Sequence, residues 1–85
     1  MKEVAVCIVV NDLYYQTRYC IENLVTKTRA NIRLHILDNG SKDEKVINYL
    51  ETICKENKWF LKRVEKPLSY QEAYNLIIQI GRAHV

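Results

Sequence analysis

The sequence predicts an α/β domain in which a parallel sheet carries helices on both faces, a partial three-layer sandwich. Residues 4–10 form a continuous apolar run rich in β-branched side chains, which is typical of a parallel strand covered on both faces. Segments with the period of a strand then alternate with segments with the period of a helix, in the order β-α-β-α-β-α. This alternation favours parallel strands joined by helical crossovers. The chain of 85 residues is long enough for one small domain.

The first half of the chain predicts two strands and the helix between them. Asn11 and Asp12 end the first strand, and a helix is expected over residues 16–27. Its apolar residues recur at helical spacing on one side: Cys20, Ile21, Leu24 and Val25. Residues 31–37 alternate, with Ile32, Leu34 and Ile36 on one face, and therefore predict the second strand.

The second half repeats the pattern. Ser41 and Glu44 have the spacing of a capping box, so a helix capped by Ser41 is expected to run to about residue 57. Residues 59–65 predict a third strand whose polar side chains, Arg63 among them, suit a solvated edge. Ser69 and Glu72 then predict a second capping box at the start of the last helix.

The expected sheet has its strands in the spatial order 3-2-1. The apolar first strand, which has the pattern of a central strand, would then lie at an open edge because its next neighbour is missing, and an exposed edge of Val and Ile is a template for association. We therefore expect the 85-residue chain to be poorly soluble or oligomeric when expressed alone.

Composition excludes several classes of function. The net charge of +3 is modest and scattered, which does not favour nucleic acid as a partner. No run reaches the roughly 18 apolar residues that a membrane span needs. The three cysteines occupy apolar positions and are expected to be small buried residues, with no zinc spacing among them. Their odd number argues against a disulfide framework and favours a reducing, cytoplasmic location.

The candidate site lies where the second strand ends, at Asp38-Asn39-Gly40-Ser41. In open α/β sheets, ligands sit at the carboxyl ends of the strands. Gly40 allows a tight turn, so Asp38 is expected to point into the crevice there rather than to be buried. The plainer interpretation is that Asp38 only forms the turn, since Asp and Asn favour turns on local grounds.

Four segments carry a resemblance to a known family. The first strand is the apolar run Val4-Ala5-Val6-Cys7-Ile8-Val9-Val10, and the second strand ends in Asp38-Asn39-Gly40-Ser41. The first helix contains Cys20-Ile21-Glu22-Asn23-Leu24, which is similar to C-I-E-S-L. Residues 68–77 are similar to G-F-A-x-x-x-N-x-G-I, with Asn75 at the asparagine. In this order they resemble the N-terminal nucleotide-binding region of family 2 glycosyltransferases, which have the GT-A, Rossmann-like fold. The chain departs from that pattern in three ways: Asn39 replaces the second aspartate of D-D-G-S, the first loop lacks its aromatic residue, and the last segment lacks both glycines.

The resemblance implies an enzyme that, when complete, transfers a sugar from a nucleoside-diphosphate sugar to an acceptor hydroxyl. It implies that Asp38 accepts an N–H from the nucleobase and that Val10, Asn11, Asp12 and Asn39 line the nucleoside. It also implies a divalent cation, Mg²⁺ or Mn²⁺, whose D-x-D ligands and catalytic base would follow this segment. No catalytic or metal-binding residue is therefore expected within the chain, which would be inactive by itself. The acceptor (a glycan, a lipid or a protein) and a membrane association through regions beyond this segment are left open.

Two other functions fit less of the pattern. A non-catalytic α/β interaction module with a degenerate nucleotide pocket would share the fold, and a D-x-D after the next strand of the complete gene would argue against it. A Rossmann dehydrogenase would need G-x-G-x-x-G after the first strand, and residues 10–13 contain no glycine.

The last six residues have an unusual codon match. Residues 80–85 can be encoded by ATC GGA AGA GCA CAC GTC, which resembles a common sequencing adapter, and the codon of Gln79 is compatible with the preceding bases. We expect residues 1–79 to be the N-terminal half of the domain, the coding sequence to continue past codon 79, and His84 not to be a site residue. The alternative is a natural helix end with Gly81 as its cap.

Overall fold

Three parallel strands alternate with three helices in the computed structural model, which describes residues 3–28 and 31–83. The elements are β1 (Glu3–Val10), α1 (Tyr14–Lys27), β2 (Asn31–Asn39), α2 (Glu44–Asn57), β3 (Phe60–Val64) and α3 (Tyr70–Ala83). Both strand pairs are parallel and the sheet order is β1-β2-β3, so the predicted fold class and strand order are confirmed. His84 lies outside the described residues.

The two faces of β2 carry two separate cores. Leu34 and Ile36 are fully buried against α1 and α2, in a cluster that includes Val46 and Leu50. Leu37 points to the opposite face and packs with Ala73 and Ile77 of α3 in a smaller cluster. Because successive strand side chains alternate between faces, this strand holds all three layers together.

Of the two expected capping boxes, the one at the start of α3 forms and the one at the start of α2 does not. Ser69 and Glu72 form theirs, each backbone N–H donating to the other residue's side-chain oxygen at 3.2 Å. These hydrogen bonds to Ser69 lower the pKa of Glu72, so the box stabilises α3 above the carboxyl's ordinary pKa and loses that effect as the pH falls. The expected cap at Ser41 is wrong. Asp43 is the N-cap of α2 and accepts the Lys45 N–H at 2.9 Å, because Ser41 is engaged elsewhere.

The cysteines differ from expectation at two of three positions. Cys54 is buried as predicted, whereas Cys7 and Cys20 are exposed. Cys7 lies on β1, which pairs with β2 on one side and with no described strand on the other. Cys20 lies on α1 beside the exposed Tyr19, so the buried apolar face of this helix is narrower than its sequence predicts.

We expect iodoacetamide to modify two cysteines in the folded chain and three in urea. Burial raises the pKa of the Cys54 thiol to about 11, so little of the reactive thiolate forms near pH 8. Cys7 and Cys20 are accessible to the reagent. Mass spectrometry of the native and the unfolded chain, with peptide mapping of the adducts, checks this. Modification of Cys54 as rapid as that of Cys20 would contradict the burial of α2 on the sheet.

Candidate functional site

The carboxyl ends of β1 and β2 lie side by side, because Val10 pairs with Asp38 in the parallel register. This register brings all five predicted site residues to one edge of the sheet: Val10, Asn11, Asp12, Asp38 and Asn39. It is the edge at which open α/β sheets bind ligands.

Asp38 is buried, with 1% of its surface exposed. Its Oδ1 accepts the backbone N–H of Ser41 at 3.1 Å, and its Oδ2 lies 3.5 Å from Nε of Arg63. The expectation that this carboxylate points into an open crevice is therefore wrong. Asp38 follows Ile36 by two residues, so it falls on the same sheet face, and the turn at residues 39–41 closes over it. A buried carboxylate needs such partners because desolvation of an unpaired charge is costly.

Arg63 is the residue that the sequence alone did not identify as part of the site. It pairs with Asp38 in the β2–β3 register, and its Nη2 donates to the carbonyl oxygen of Ser41 at 3.3 Å. Its side chain remains 40% exposed. The β2–β3 register places this residue of a polar edge strand beside a buried carboxylate. No local sequence pattern encodes that register.

Asn39 and Asn11 connect the strand ends to neighbouring loops. The Asn39 side chain donates to the carbonyl of Leu68 at 3.1 Å and accepts the Leu68 N–H at 2.7 Å. Nδ2 of Asn11 donates to the backbone carbonyl of Asn39. The side chain of Asn39 is thus committed to the loop between β3 and α3, and Asn11 joins β1 to β2.

Asp12 links the loop after β1 to the loop after β2. Its Oδ1 accepts the N–H groups of Lys42 and Asp43 at 2.8 and 2.9 Å, and its own N–H donates to Oγ of Ser41 at 2.7 Å. Asp12 and Leu13 both adopt left-handed backbone conformations, with φ of 52° and 56°. Each such non-glycine residue costs about 1–2 kcal/mol, which the three hydrogen bonds offset.

Two hollows adjoin this edge. The smaller, about 210 Å³, lies between the end of β1 and α1 and is lined in part by Val10, Asn11 and Asp12. The larger, about 380 Å³, lies between β1 and α3, where Asn39 and Val9 face Tyr70 and Tyr74. Only the larger reaches the 300–1,000 Å³ that is usual for small-molecule sites.

Tyr70 and Tyr74 share one face of α3, as their spacing predicts. Their rings are nearly parallel, at 13°, with centroids 6.3 Å apart, and both side chains border the larger hollow beside β1. The larger open space at the candidate site is therefore on the α3 side of the sheet, whereas Asp38 lies on the opposite face, the face of Ile36.

The residues described here do not fit a metal ion. Across residues 3–28 and 31–83, no group of three or more His, Cys, Asp or Glu side chains is placed to hold one. Asp12 and Asp38, the carboxylates at the edge, both accept backbone N–H groups already. Within the same ranges, the helices are too short or too polar to cross a membrane.

Comparison of the chain with protein-family models, with curated proteins and with solved structures gives no match. The function proposed for this edge therefore rests on its residues, their geometry and the motif resemblance.

Proposed function

We propose that this chain is the N-terminal part of a family 2-like glycosyltransferase. In this proposal the carboxyl edge of β1 and β2 binds the nucleoside of a nucleoside-diphosphate sugar, and the complete enzyme transfers the sugar to an acceptor hydroxyl. The observation that carries the proposal is the Val10–Asp38 register, which gathers Asn11, Asp12 and Asn39 at one edge, where Asn11 and Asp12 line the smaller hollow and Asn39 lines the larger one. Ligands of open α/β sheets occupy that position.

Recognition of the base by Asp38 requires one change at the site. The carboxylate has acceptor capacity beyond the Ser41 N–H, since an ionised carboxylate offers about four lone-pair positions. The remaining oxygen faces Arg63, which stands on the edge strand β3 and is 40% exposed. A base that donates an N–H to Asp38 would take the place of this guanidinium, and the long side chain of Arg63 would swing towards solvent.

The roles of the other site residues follow from their contacts. Asn11 and Asp12 hold the two loops at the positions that would border the nucleoside, and Asn39 fixes the start of the segment that leads to α3. The chain would thus bind and orient the donor without catalysing transfer. The Mg²⁺ or Mn²⁺ that the resemblance implies would be held by residues other than these. The cysteine content supports a cytoplasmic enzyme, and one acting at the inner face of the membrane would need an attachment outside this segment.

A nucleotide titration of the 85-residue chain tests the proposal. We expect nucleoside diphosphates of the matching base to shift the backbone amide NMR signals of residues 10–13 and 38–41, saturably and equally in EDTA. The free nucleoside should produce the same shifts more weakly, and inorganic pyrophosphate should not. Shifts produced by pyrophosphate alone, or confined to residues outside this edge, would overturn nucleoside recognition here.

The second candidate is a non-catalytic α/β interaction module. It is favoured by one observation: the side chains of Asp12 and Asn39 are already satisfied by the backbone of neighbouring loops. Polar side chains with a purely structural role are paired with the protein's own backbone in this way. Cooperative unfolding of the chain, combined with no amide shift for any of the common nucleoside diphosphates, would favour this module over the glycosyltransferase.

A further inference from the structure

Asn39 is the only asparagine of the chain that precedes a glycine, since every other asparagine precedes a residue with a side chain. In an Asn-Gly step the backbone nitrogen of the glycine can attack the side-chain amide of the asparagine, because no Cβ hinders its approach. The amide nitrogen then leaves as ammonia. The Asn39-Gly40 step therefore carries a chemical reactivity that nucleoside binding does not use.

Water is the one co-reactant that this modification needs. Loss of the Gly40 N–H proton lets that nitrogen bond to Cγ of Asn39, while the Cγ–Nδ2 bond breaks and ammonia departs. Water then opens the resulting five-membered cyclic imide. Hydrolysis of the new bond gives aspartate, and hydrolysis of the original backbone bond gives isoaspartate. The larger hollow, which Asn39 lines, offers water a route to the ring.

The structure holds the Asn39 amide in a position that opposes this reaction. Only 8% of the residue's surface is exposed. Its Nδ2 donates to the Leu68 carbonyl at 3.1 Å, and its Oδ1 accepts the Leu68 N–H at 2.7 Å. Attack requires the amide to rotate until its face meets the Gly40 nitrogen, and the leaving group is Nδ2 itself. Both hydrogen bonds of this Asn39–Leu68 bridge must therefore break first.

We propose that Asn39 is a site of spontaneous deamidation whose rate is set by opening of the Asn39–Leu68 bridge. Leu68 lies in the loop between β3 and α3. Loops open at a lower free energy than the core strands, so the bridge opens without unfolding of the whole domain. This inference does not rest on nucleotide binding.

The product of deamidation cannot rebuild the bridge. An aspartate at position 39 has two acceptor oxygens and no donor. One oxygen can accept the Leu68 N–H, but the other would face the Leu68 carbonyl oxygen, which is also an acceptor. Isoaspartate in addition lengthens the backbone at the turn. Deamidation would thus irreversibly release the loop that leads into α3.

Peptide mapping by mass spectrometry, after incubation at mildly alkaline pH, tests the site. In urea, Asn39 should deamidate faster than every other asparagine of the chain, and Gly40→Ala should remove this difference. In the folded chain, Asn39 should react about tenfold or more slower than in urea, because two hydrogen bonds hold its amide. No preference for Asn39 in urea would overturn the site, and equal rates in the folded and unfolded chain would overturn control by the bridge.

Pro67→Ala tests the bridge as the controlling step, with Lys66→Ala as its control. Both residues are exposed and lie in the loop that carries Leu68, but only the proline restricts the backbone. Pro67→Ala should raise the folded-state rate about two- to fivefold and leave the rate in urea unchanged. Lys66→Ala should change neither rate. A folded-state rate that Pro67→Ala leaves unchanged, or that Lys66→Ala raises equally, would overturn control by the bridge.

Low urea concentrations separate local opening from global unfolding. Local opening exposes little surface, so the folded-state rate should hardly respond to urea below the unfolding transition. The variant Asn39→Asp reproduces one product, and its Leu68 N–H should exchange with solvent faster than in the native chain. A rate that rises with urea as steeply as global unfolding would overturn local control by the bridge. Unchanged exchange at Leu68 in Asn39→Asp would overturn the release of the loop.

Discussion

Asp38→Ala is expected to destabilise the domain by about 1–3 kcal/mol, because it leaves buried hydrogen-bonding groups without a partner. The carboxylate is 1% exposed, accepts the N–H of Ser41 and faces the guanidinium of Arg63. For a domain of this size, each kcal/mol lowers the melting temperature by roughly 4–8 °C. Thermal unfolding followed by circular dichroism measures the effect.

Asp38→Asn is the matched variant. Its side-chain oxygen can still accept the Ser41 N–H, while its amide group replaces the negative charge beside Arg63. We therefore expect a smaller loss of stability than for alanine. Arg63→Met completes a double-mutant cycle, whose coupling energy isolates the Asp38–Arg63 contact. Equal melting temperatures for native chain and Asp38→Ala would contradict the structural role of this carboxylate.

The same variants in the complete protein test nucleoside recognition. A charged hydrogen bond to the base contributes about 1.5–3 kcal/mol, so the loss of Asp38 should weaken donor binding roughly ten- to a hundred-fold. Asp38→Asn should weaken binding nearly as much if the charge is required, and less if a neutral carbonyl suffices. Unchanged affinity together with a lowered melting temperature would make Asp38 a structural turn residue and would remove the main site of the proposed function.

The strand order and the layers could be predicted from local patterns. The apolar run of β1 and the alternation of residues 31–37 each depend on neighbours in the sequence, and both strands form as expected. The alternation also predicts which face of the sheet Asp38 lies on, because Asp38 is an even number of residues from Ile32, Leu34 and Ile36. The alternation does not predict that the following turn covers the carboxylate.

The errors share a cause, which is contact between segments far apart in the sequence. Ser41 has the sequence of a helix cap, yet its hydroxyl accepts the N–H of Asp12, 29 residues away. Arg63 pairs with Asp38 through the β2–β3 register. The edge position of β1 exposes Cys7, which its apolar neighbours suggested was buried. Local patterns specify the elements, whereas the site is made by how the loops meet.

Gly40→Ala is expected to be among the most destabilising single changes at the site, by about 2–5 kcal/mol. Gly40 has φ of +76°, where a residue with a Cβ pays about 1–2 kcal/mol. The added Cβ would also lie 2.5 Å from Cγ and 2.9 Å from the backbone nitrogen of Pro67, and such overpacking costs about 1–3 kcal/mol. Urea denaturation measures the loss.

Gly81→Ala provides the control, because its Cβ would meet the Cys7 side chain at 2.9 Å and its φ is not left-handed. The Cys7 thiol can rotate away, and alanine favours the helix by roughly 0.5–1 kcal/mol, so a small net effect is expected. In Gly40→Ala/Pro67→Ala, the collision with the proline ring disappears, while the contact with the backbone nitrogen of residue 67 and the left-handed backbone strain remain, so stability should recover only in part. Full recovery would assign the whole cost to the Pro67 contact. A loss in Gly40→Ala no larger than in Gly81→Ala would show that the turn after Asp38 relaxes freely. A turn that relaxed in this way could not hold Asp38 and the Asn39–Leu68 bridge in fixed positions for a nucleoside.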